Sequence, residues 1–361
     1  EKNQFGREMD HFAECIRANR QPHTPGEEGL QDQRLIAAIY DAARSGNAVR
    51  LPEIAGLDTT RGPPPADAAS PLEDDGAGMR EIVDVLGACL KLGETTDEGT
   101  PLGDVGDLNF HPDRLHHGRP LLQTLLEEGV YRSQFETGTS NGGLSAFEGG
   151  ARWLWESRIF GGAYDGAAPG QRPKYGALNY RRRAAGGSPR FGSAHLRLRP
   201  DVAARCTFCY PDSVFEPEHF GVAARIDLVA RALADDKDPL DDYIEAHIHG
   251  TLRLDADVEA LVLDPCYRGG ALEAWARRYP CALEWHPGFR LDVATLRRHP
   301  GYRGGHIVEL GAAIAQDGVL DPACIGRAAA EGRHDAQELK KVWHCLARFG
   351  DLSGDLSAGS R

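Results

Sequence analysis

The chain has 361 residues, which suits two domains or one large domain with extensions. Hydrophobic residues make up 41% and charged residues 26%, an ordinary balance for a soluble protein, and no apolar run approaches the roughly 20 residues needed to span a bilayer, which excludes a membrane-spanning chain. The formal net charge is −13, but it is unevenly placed. The chain opens Glu1-Lys2-Asn3-Gln4, polar and without Met, which suggests a trimmed or partial reading frame and carries no export signal. Eight cysteines spread over this length do not read as a disulfide framework, and reduced thiols in a cytoplasm are the simpler expectation. Cys206-Thr207-Phe208-Cys209 is the one C-x-x-C pair; it reads as a strand, with neither the second pair of a zinc knuckle nor the helix start of a redox site.

Residues 1–52 come first. Met9, Phe12 and Ile16, then Leu35, Ile36, Ile39 and Tyr40, have helical spacing, and Pro22 to Gly29 separates the two helices they predict. Residues His11-Phe12, Pro25-Gly26-Glu27-Glu28-Gly29, Arg34-Leu35-Ile36, Ala38-Ile39-Tyr40 and Ala42-Ala43-Arg44-Ser45-Gly46 carry a likeness that stops at Pro52. The segment resembles the C-terminal tail of the glucose–fructose oxidoreductase type (Gfo/Idh/MocA) of nicotinamide-dependent sugar dehydrogenase. That family binds its cofactor on an N-terminal Rossmann unit, and no G-x-G-x-x-G turn between a strand and a helix occurs in this chain. A remnant of one gene joined to another is expected, and an oxidoreductase fragment is a remote functional reading.

Residues 53–107 hold 13 acidic residues and three basic ones, together with Pro63-Pro64-Pro65 and Gly93-Glu94-Thr95-Thr96-Asp97. This composition buries little and predicts a disordered acidic linker, broken by a short helix near Arg80–Lys91. The main domain is expected over 108–350, with a flexible tail at 351–361.

Within the main domain, Leu121–Glu128 predicts a helix closed by Gly129, and Val130-Tyr131-Arg132 begins a strand. Gln134 to Gly143 reads as a polar, glycine-rich binding loop. Arg152 to Phe160 predicts a helix stopped at Gly161-Gly162. Strands follow at Phe191–Leu198 and Arg205–Tyr210. Tyr243 to Leu254 alternates, with Ile244, Ala246 and Ile248 on one face and Glu245, His247 and His249 on the other. Val258–Leu263 is a buried strand, Trp275 lies in a helix, and helices close the chain near Ile307–Ile314 and Ala336–Phe349. Strands interleaved with helices without βαβ regularity predict an α+β fold, a small mixed or antiparallel sheet core with flanking helices.

Between Arg172 and Arg205, nine basic residues face one acid, Asp201. They form either a solvated face paired to acids elsewhere or a place for phosphate groups, such as those of a nucleic acid. Two constellations carry chemistry. Glu245, His247 and His249 on one strand face form either a polar face touching water or a metal-ligand set for zinc or non-haem iron, which His286 or His111 would complete and which would predict a metal-dependent hydrolase. Alternatively, Arg132, Ser193, Thr207 and Glu245 are placed to hold a pyrophosphate and stabilise a ribosyl cation.

Residues Asn109-Phe110-His111-Pro112-Asp113-Arg114, Tyr131-Arg132-Ser133-Gln134-Phe135-Glu136-Thr137, Ser140-Asn141-Gly142-Gly143-Leu144, Pro173-Lys174-Tyr175-Gly176-Ala177-Leu178-Asn179 and Pro189-Arg190-Phe191-Gly192-Ser193 resemble an uncharacterised bacterial domain family of unknown function, from about Leu108 past Phe289. The order of motifs is also similar, more weakly, to the ADP-ribosyltransferase superfamily. That resemblance implies NAD as substrate and NAD-dependent ADP-ribosyl transfer or NAD glycohydrolysis. Arg132 and Ser133 would contact the dinucleotide, Tyr175 would stack on nicotinamide, and Ser193 and Thr207 would line the site. Glu245 would be the catalytic acid, with His247 the alternative position two residues on. No metal is expected on this reading. The chain departs from that pattern in having no Ser-Thr-Ser triplet and Glu245-Ala246-His247 where the superfamily has Glu-x-Glu. A non-catalytic nucleic-acid-binding module is a third reading.

Overall fold

The computed structural model describes residues 104–138, 141–223 and 226–356, together with Arg17. The chain divides into a unit Glu1–Glu73 and a unit Asp74–Arg361. Apart from Arg17, the described residues belong to the second unit, and the helices expected at Met9–Ala43 and Arg80–Lys91 lie outside them.

In chain order the strands are β1 (Asp104–Phe110), β2 (Leu115–His116), β3 (Arg119–Pro120), β4 (Val130–Tyr131), β5 (Lys174–Asn179), β6 (Ala194–Leu198), β7 (Cys206–Tyr210), β8 (His219–Val222), β9 (Ile244–Ile248), β10 (Leu252–Arg253), β11 (Val258–Leu263), β12 (Ala282–Trp285), β13 (Leu291–Asp292) and β14 (Val319–Leu320). The helices are α1 (Leu121–Glu128), α2 (Gln134–Thr137), α3 (Asn141–Leu144), α4 (Ala151–Ile159), α5 (Leu228–Ala234), α6 (Leu254–Asp257), α7 (Ala271–Ala276), α8 (Val293–Leu296), α9 (Pro300–Arg303), α10 (Gly305–Ile314), α11 (Pro322–Glu331) and α12 (Ala336–Phe349). The fold is α+β, as its interleaved elements predict.

Eight strands form one mixed sheet in the order β12-β11-β6-β1-β5-β9-β7-β8, larger than the small sheet expected. Neighbours run antiparallel except β11 and β12. One face of its centre is apolar: Leu108, Leu178, Leu196, Phe208, Ile244, Ala246 and Ile248 pack with α1 residues Leu122 and Leu125. The alternation seen in the sequence of β9 is therefore the division between this core and the opposite face. A second core, around Trp343, Leu296, Ile307 and Leu320, joins α8, α10, α11 and α12. Trp155, Phe160 and Tyr164 cover the opposite face of the sheet at Cys209.

Three boundaries differ from expectation. The stretch Gln134–Gly143 forms the helical turns α2 and α3 at its ends rather than an open loop. Ser133 explains α2: its Oγ accepts from Glu136 N while Glu136 Oε2 accepts from Ser133 N at 2.8 Å, a reciprocal cap. β1 begins at Asp104, inside the span expected as linker, because pairing with β5 and β6 satisfies its backbone. The tail is packed as far as Leu356, which is 1% exposed; the Asp351 carboxylate accepts from Ser353 N and Leu356 N, both at 3.0 Å.

Candidate functional site

The polar face of the sheet centre is set by register. Across three strands, Tyr175 pairs with His247 and His247 with Thr207; one step along, Ala177 pairs with Glu245 and Glu245 with Cys209. Residues two apart on each strand share this face. Two rows of side chains therefore meet beneath α4.

One chain of hydrogen bonds runs through them. Tyr164 Oη lies 2.6 Å from His249 Nδ1, and His249 Nε2 lies 2.9 Å from Thr207 Oγ1. Thr207 Oγ1 is 2.9 Å from His247 Nδ1, and His247 Nε2 is 3.2 Å from Glu245 Oε1. Ser213 Oγ donates to Glu245 Oε2 at 3.0 Å, and Arg152 Nη1 donates to Ser213 Oγ at 3.3 Å. A hydroxyl has one proton, so Thr207 donates to one imidazole and accepts from the other. With Glu245 ionised, one assignment satisfies every atom: Tyr164 donates to His249, His249 to Thr207, Thr207 to His247, and His247 to Glu245.

Electrostatics agree with that assignment. Burial lowers His249 to about 3, helped by His247 and Arg205, so its ring is neutral. Burial alone would raise the Glu245 carboxyl, but the hydrogen bond from His247, with the Arg152 charge and the Ser213 hydrogen bond, outweighs it and holds the group below the ordinary glutamate value.

Helix α4 closes the face. Its Glu156 is fully buried and takes Tyr175 Oη at 2.6 Å and Arg172 Nη1 at 2.8 Å. The Arg152 guanidinium lies 4.4 Å from the centre of the Tyr175 ring. The Trp155 ring stands 5.3 Å from that of His247, and its indole N–H is buried without an acceptor among the described residues.

Cys209 completes the group. Its Sγ is 3.7 Å from His247 Nε2, and the ligand atoms of Cys209, Glu245 and His247 all lie within 4.8 Å of one another. One sulfur, one nitrogen and one carboxylate oxygen suit a zinc-class divalent ion, and three protein ligands are the number found in catalytic zinc sites. His249 is not part of this set, since both its nitrogens face Tyr164 and Thr207. Nor do the two residues of the C-x-x-C pair converge: an odd separation along β7 turns Cys206 into the apolar core, where its Sγ meets Val202 O at 3.2 Å.

Of the residues singled out in the sequence, Glu245, His247, Thr207 and Tyr175 therefore meet. Arg132 is 40% exposed and held between Glu128 at 2.6 Å and Glu136 at 2.9 Å. Ser133 caps α2 and donates to Pro169 O at 2.6 Å. Ser193 Oγ lies 3.2 Å from Tyr267 Oη, which donates to Asp113 at 3.1 Å. His286 Nε2 is 2.8 Å from Ser193 O, and the His111 ring stands edge-on to Trp343. None of these has a described contact with Glu245. Sequence reasoning missed Cys209, Arg152, Glu156 and Ser213. The available signals were the Thr207-x-Cys209 alternation and an acid within the aromatic helix Trp153–Phe160.

The basic segment is largely neutralised. Arg172 pairs with Glu156, Arg181 and Arg183 with Asp242, Arg190 with Asp241, Arg197 with Glu259 and Glu284, and Arg205 with Asp257. Lys174 donates to three backbone carbonyls. Only Arg182 and Arg199 of the nine are exposed without a described partner. Among the described residues no helix is long and apolar enough to cross a membrane.

Two family models match the chain. One, described as Protein of unknown function (DUF3626), matches residues 107–237 and 235–349. The other, described as Oxidoreductase family, C-terminal alpha/beta domain, matches residues 1–51.

Proposed function

Since the chain belongs to the DUF3626 family, whose description assigns no chemistry, we propose from the site itself that the protein is a metal-dependent hydrolase with Cys209, Glu245 and His247 as its metal ligands. The carrying observation is the convergence of these three unlike donors on a buried face, within 4.8 Å of one another. A bound divalent ion of this class polarises a substrate oxygen and lowers the pKa of bound water.

The residues around it have definite work. As a ligand through Nε2, His247 must carry its proton on Nδ1, and Thr207 Oγ1 then accepts it. Thr207 in turn donates to His249 Nε2, and His249 Nδ1 donates to Tyr164. The hydrogen-bond chain thus runs in the opposite sense with and without the ion; in the ion-bound sense Tyr164 accepts from His249 instead of donating to it. Arg152 supplies positive charge near Glu245, and the unpaired Trp155 N–H is a donor for a substrate oxygen.

Protein purified without chelator is expected to hold close to one zinc or iron per chain by elemental analysis. Cys209→Ser and His247→Ala should lose most of it while retaining the fold by circular dichroism. Chromogenic ester and amide substrates should be hydrolysed in a chelator-sensitive, zinc-restored manner. Wild-type protein that neither contains nor takes up stoichiometric metal rejects the reading.

A second reading is NAD-dependent ADP-ribosyl transfer or NAD glycohydrolysis. An ionised, buried Glu245 favours it, because such a carboxylate stabilises a ribosyl cation as the glycosidic bond breaks and nicotinamide leaves to water or an acceptor. In this version Arg152 rather than Arg132 supplies the cation beside Glu245. Nicotinamide release from NAD that survives chelator and vanishes in Glu245→Gln would favour it over the hydrolase.

A further inference from the structure

Away from the Glu245 face, a second group of side chains gathers where the end of β1, the turn Pro189–Phe191, α9 and α12 meet. Trp343 on α12 ties it together. Its Nε1 donates to Pro189 O at 3.0 Å and to Arg190 O at 3.1 Å, and its ring stands 4.8 Å from that of His111. Lys340 and His344 are one turn apart on α12. Arg114 follows His111 in the next turn, its N donating to His111 O at 3.3 Å. Arg303, at the end of α9, lies with its guanidinium 4.4 Å from the centre of the Tyr302 ring.

Carboxylates do not balance this charge. Asp241 is taken by Arg190, Asp238 by Arg348 at 3.2 Å, and Asp212, which also faces Arg190, accepts from the Tyr243 hydroxyl. Arg114, Arg303 and Lys340 have no ion pair among the described residues. The group has unused donors as well. His344 is 4% exposed, yet neither ring nitrogen has a partner, and Arg303 Nε is buried and unpaired. Like charges held together at such a cost call for an anion. The mutual repulsion is expressed on the groups themselves. Lys340 is lowered by burial and by Arg190, Arg114 and Arg303; His344 is lowered to about 2 by burial and by Arg190, Arg303, Lys340 and His111.

We infer that Arg114, Arg303, Lys340 and His344, with Arg190 at the rim, bind the phosphate group of a small phosphorylated ligand. A phosphate monoester offers three terminal oxygens and close to two negative charges, which matches several separate donors better than a single carboxylate does.

The full chain is titrated with inorganic phosphate at constant ionic strength, chloride replacing it. Thermal midpoint and the ring nitrogen signals of His344, assigned by comparison with His344→Gln, are followed. Phosphate should move the His344 signals saturably and raise the midpoint. Lys340→Gln and Arg114→Gln, both at positions with solvent access, should weaken phosphate binding at least tenfold each. Glycerol phosphate binding where inorganic phosphate does not would also uphold the site and identify a monoester as its ligand. An equal response to chloride, equal competition by acetate, no saturable shift with either phosphate compound, or unchanged affinity in Lys340→Gln overturns the proposal. None of these readouts depends on the metal site or on catalysis.

Discussion

Thr207 is the residue on which the polar face turns. It is 3% exposed, and its one hydroxyl serves both His247 and His249. Removing the hydroxyl at constant shape strands two imidazole nitrogens and leaves His247 free to present either nitrogen. Outer-shell partners of this kind typically contribute about 10–100-fold to metal affinity. Thr207→Val should therefore weaken zinc binding by that order in a chelator-competition titration, while Thr207→Ser should keep most of it. Equal zinc affinity in wild type and Thr207→Val would show that the chain of hydrogen bonds does not orient the ligand. Cys209 illustrates why the ligand set was only half legible. Glu245 and His247 share one strand and declare themselves by alternation. Cys209 reaches them only because β7 lies beside β9 in the register that sets Cys209 against Glu245.

Helix α4 shows how one element closes a site. Trp155 and Phe160 bury its apolar side, while Glu156 stands fully buried among Arg172 and Tyr175. Burial raises the Glu156 carboxyl, with Tyr175 and Arg172 opposing that rise. Losing one partner of a buried pair leaves an uncompensated charge, at about 3–5 kcal/mol, whereas replacing both with uncharged groups costs far less. Arg172→Met should lower the urea midpoint sharply, and Glu156→Gln/Arg172→Met should recover most of the loss. A double variant no more stable than the single one would mean that Arg172 acts through packing. The helix itself was readable from its spacing and its terminal glycines. Its inward acid was not, because nothing local shows which partner neutralises it. The turn at Ser133 is a contrasting case. The Ser-x-x-Glu pattern is local, but the glycines after it read as a loop, and the reciprocal cap with Glu136 decides the matter.

At the scale of the molecule, buried titratable groups link stability to pH. Burial lowers His111, His195 and His249 to about 3, with smaller help from neighbouring charges, and His344 lower still. Between pH 6.5 and those values the unfolded chain binds a proton at each that the folded chain does not. Stability is therefore lost as pH falls, by about 1.4 kcal/mol per pH unit for each such histidine. Burial raises Asp113 and Asp212 to about 6, which works in the opposite direction between pH 6 and 3.8. The raised Glu156 carboxyl acts in the same sense as these two, and four histidines against three carboxyls still leave a net loss. The thermal midpoint should fall between pH 6 and 4, and His195→Phe should reduce the slope by about one proton. An unchanged slope in that variant would show that His195 is charged in the fold.

Periodicity and turn chemistry are properties of neighbouring residues, so the sequence alone determined the α+β class, helices α1, α4, α7, α10 and α12, strands β4, β6, β7, β9 and β11, and the polar and apolar sides of β9. It also carried both family resemblances, at residues 1–51 and over the main domain. Strand order, register and long-range charge pairing belong only to the folded chain. They joined Cys209 to Glu245 and His247, left Arg132 between two glutamates, and neutralised most of a segment whose composition is strongly basic. Contacts between residues far apart in sequence depend on how whole faces pack, and no local pattern encodes that.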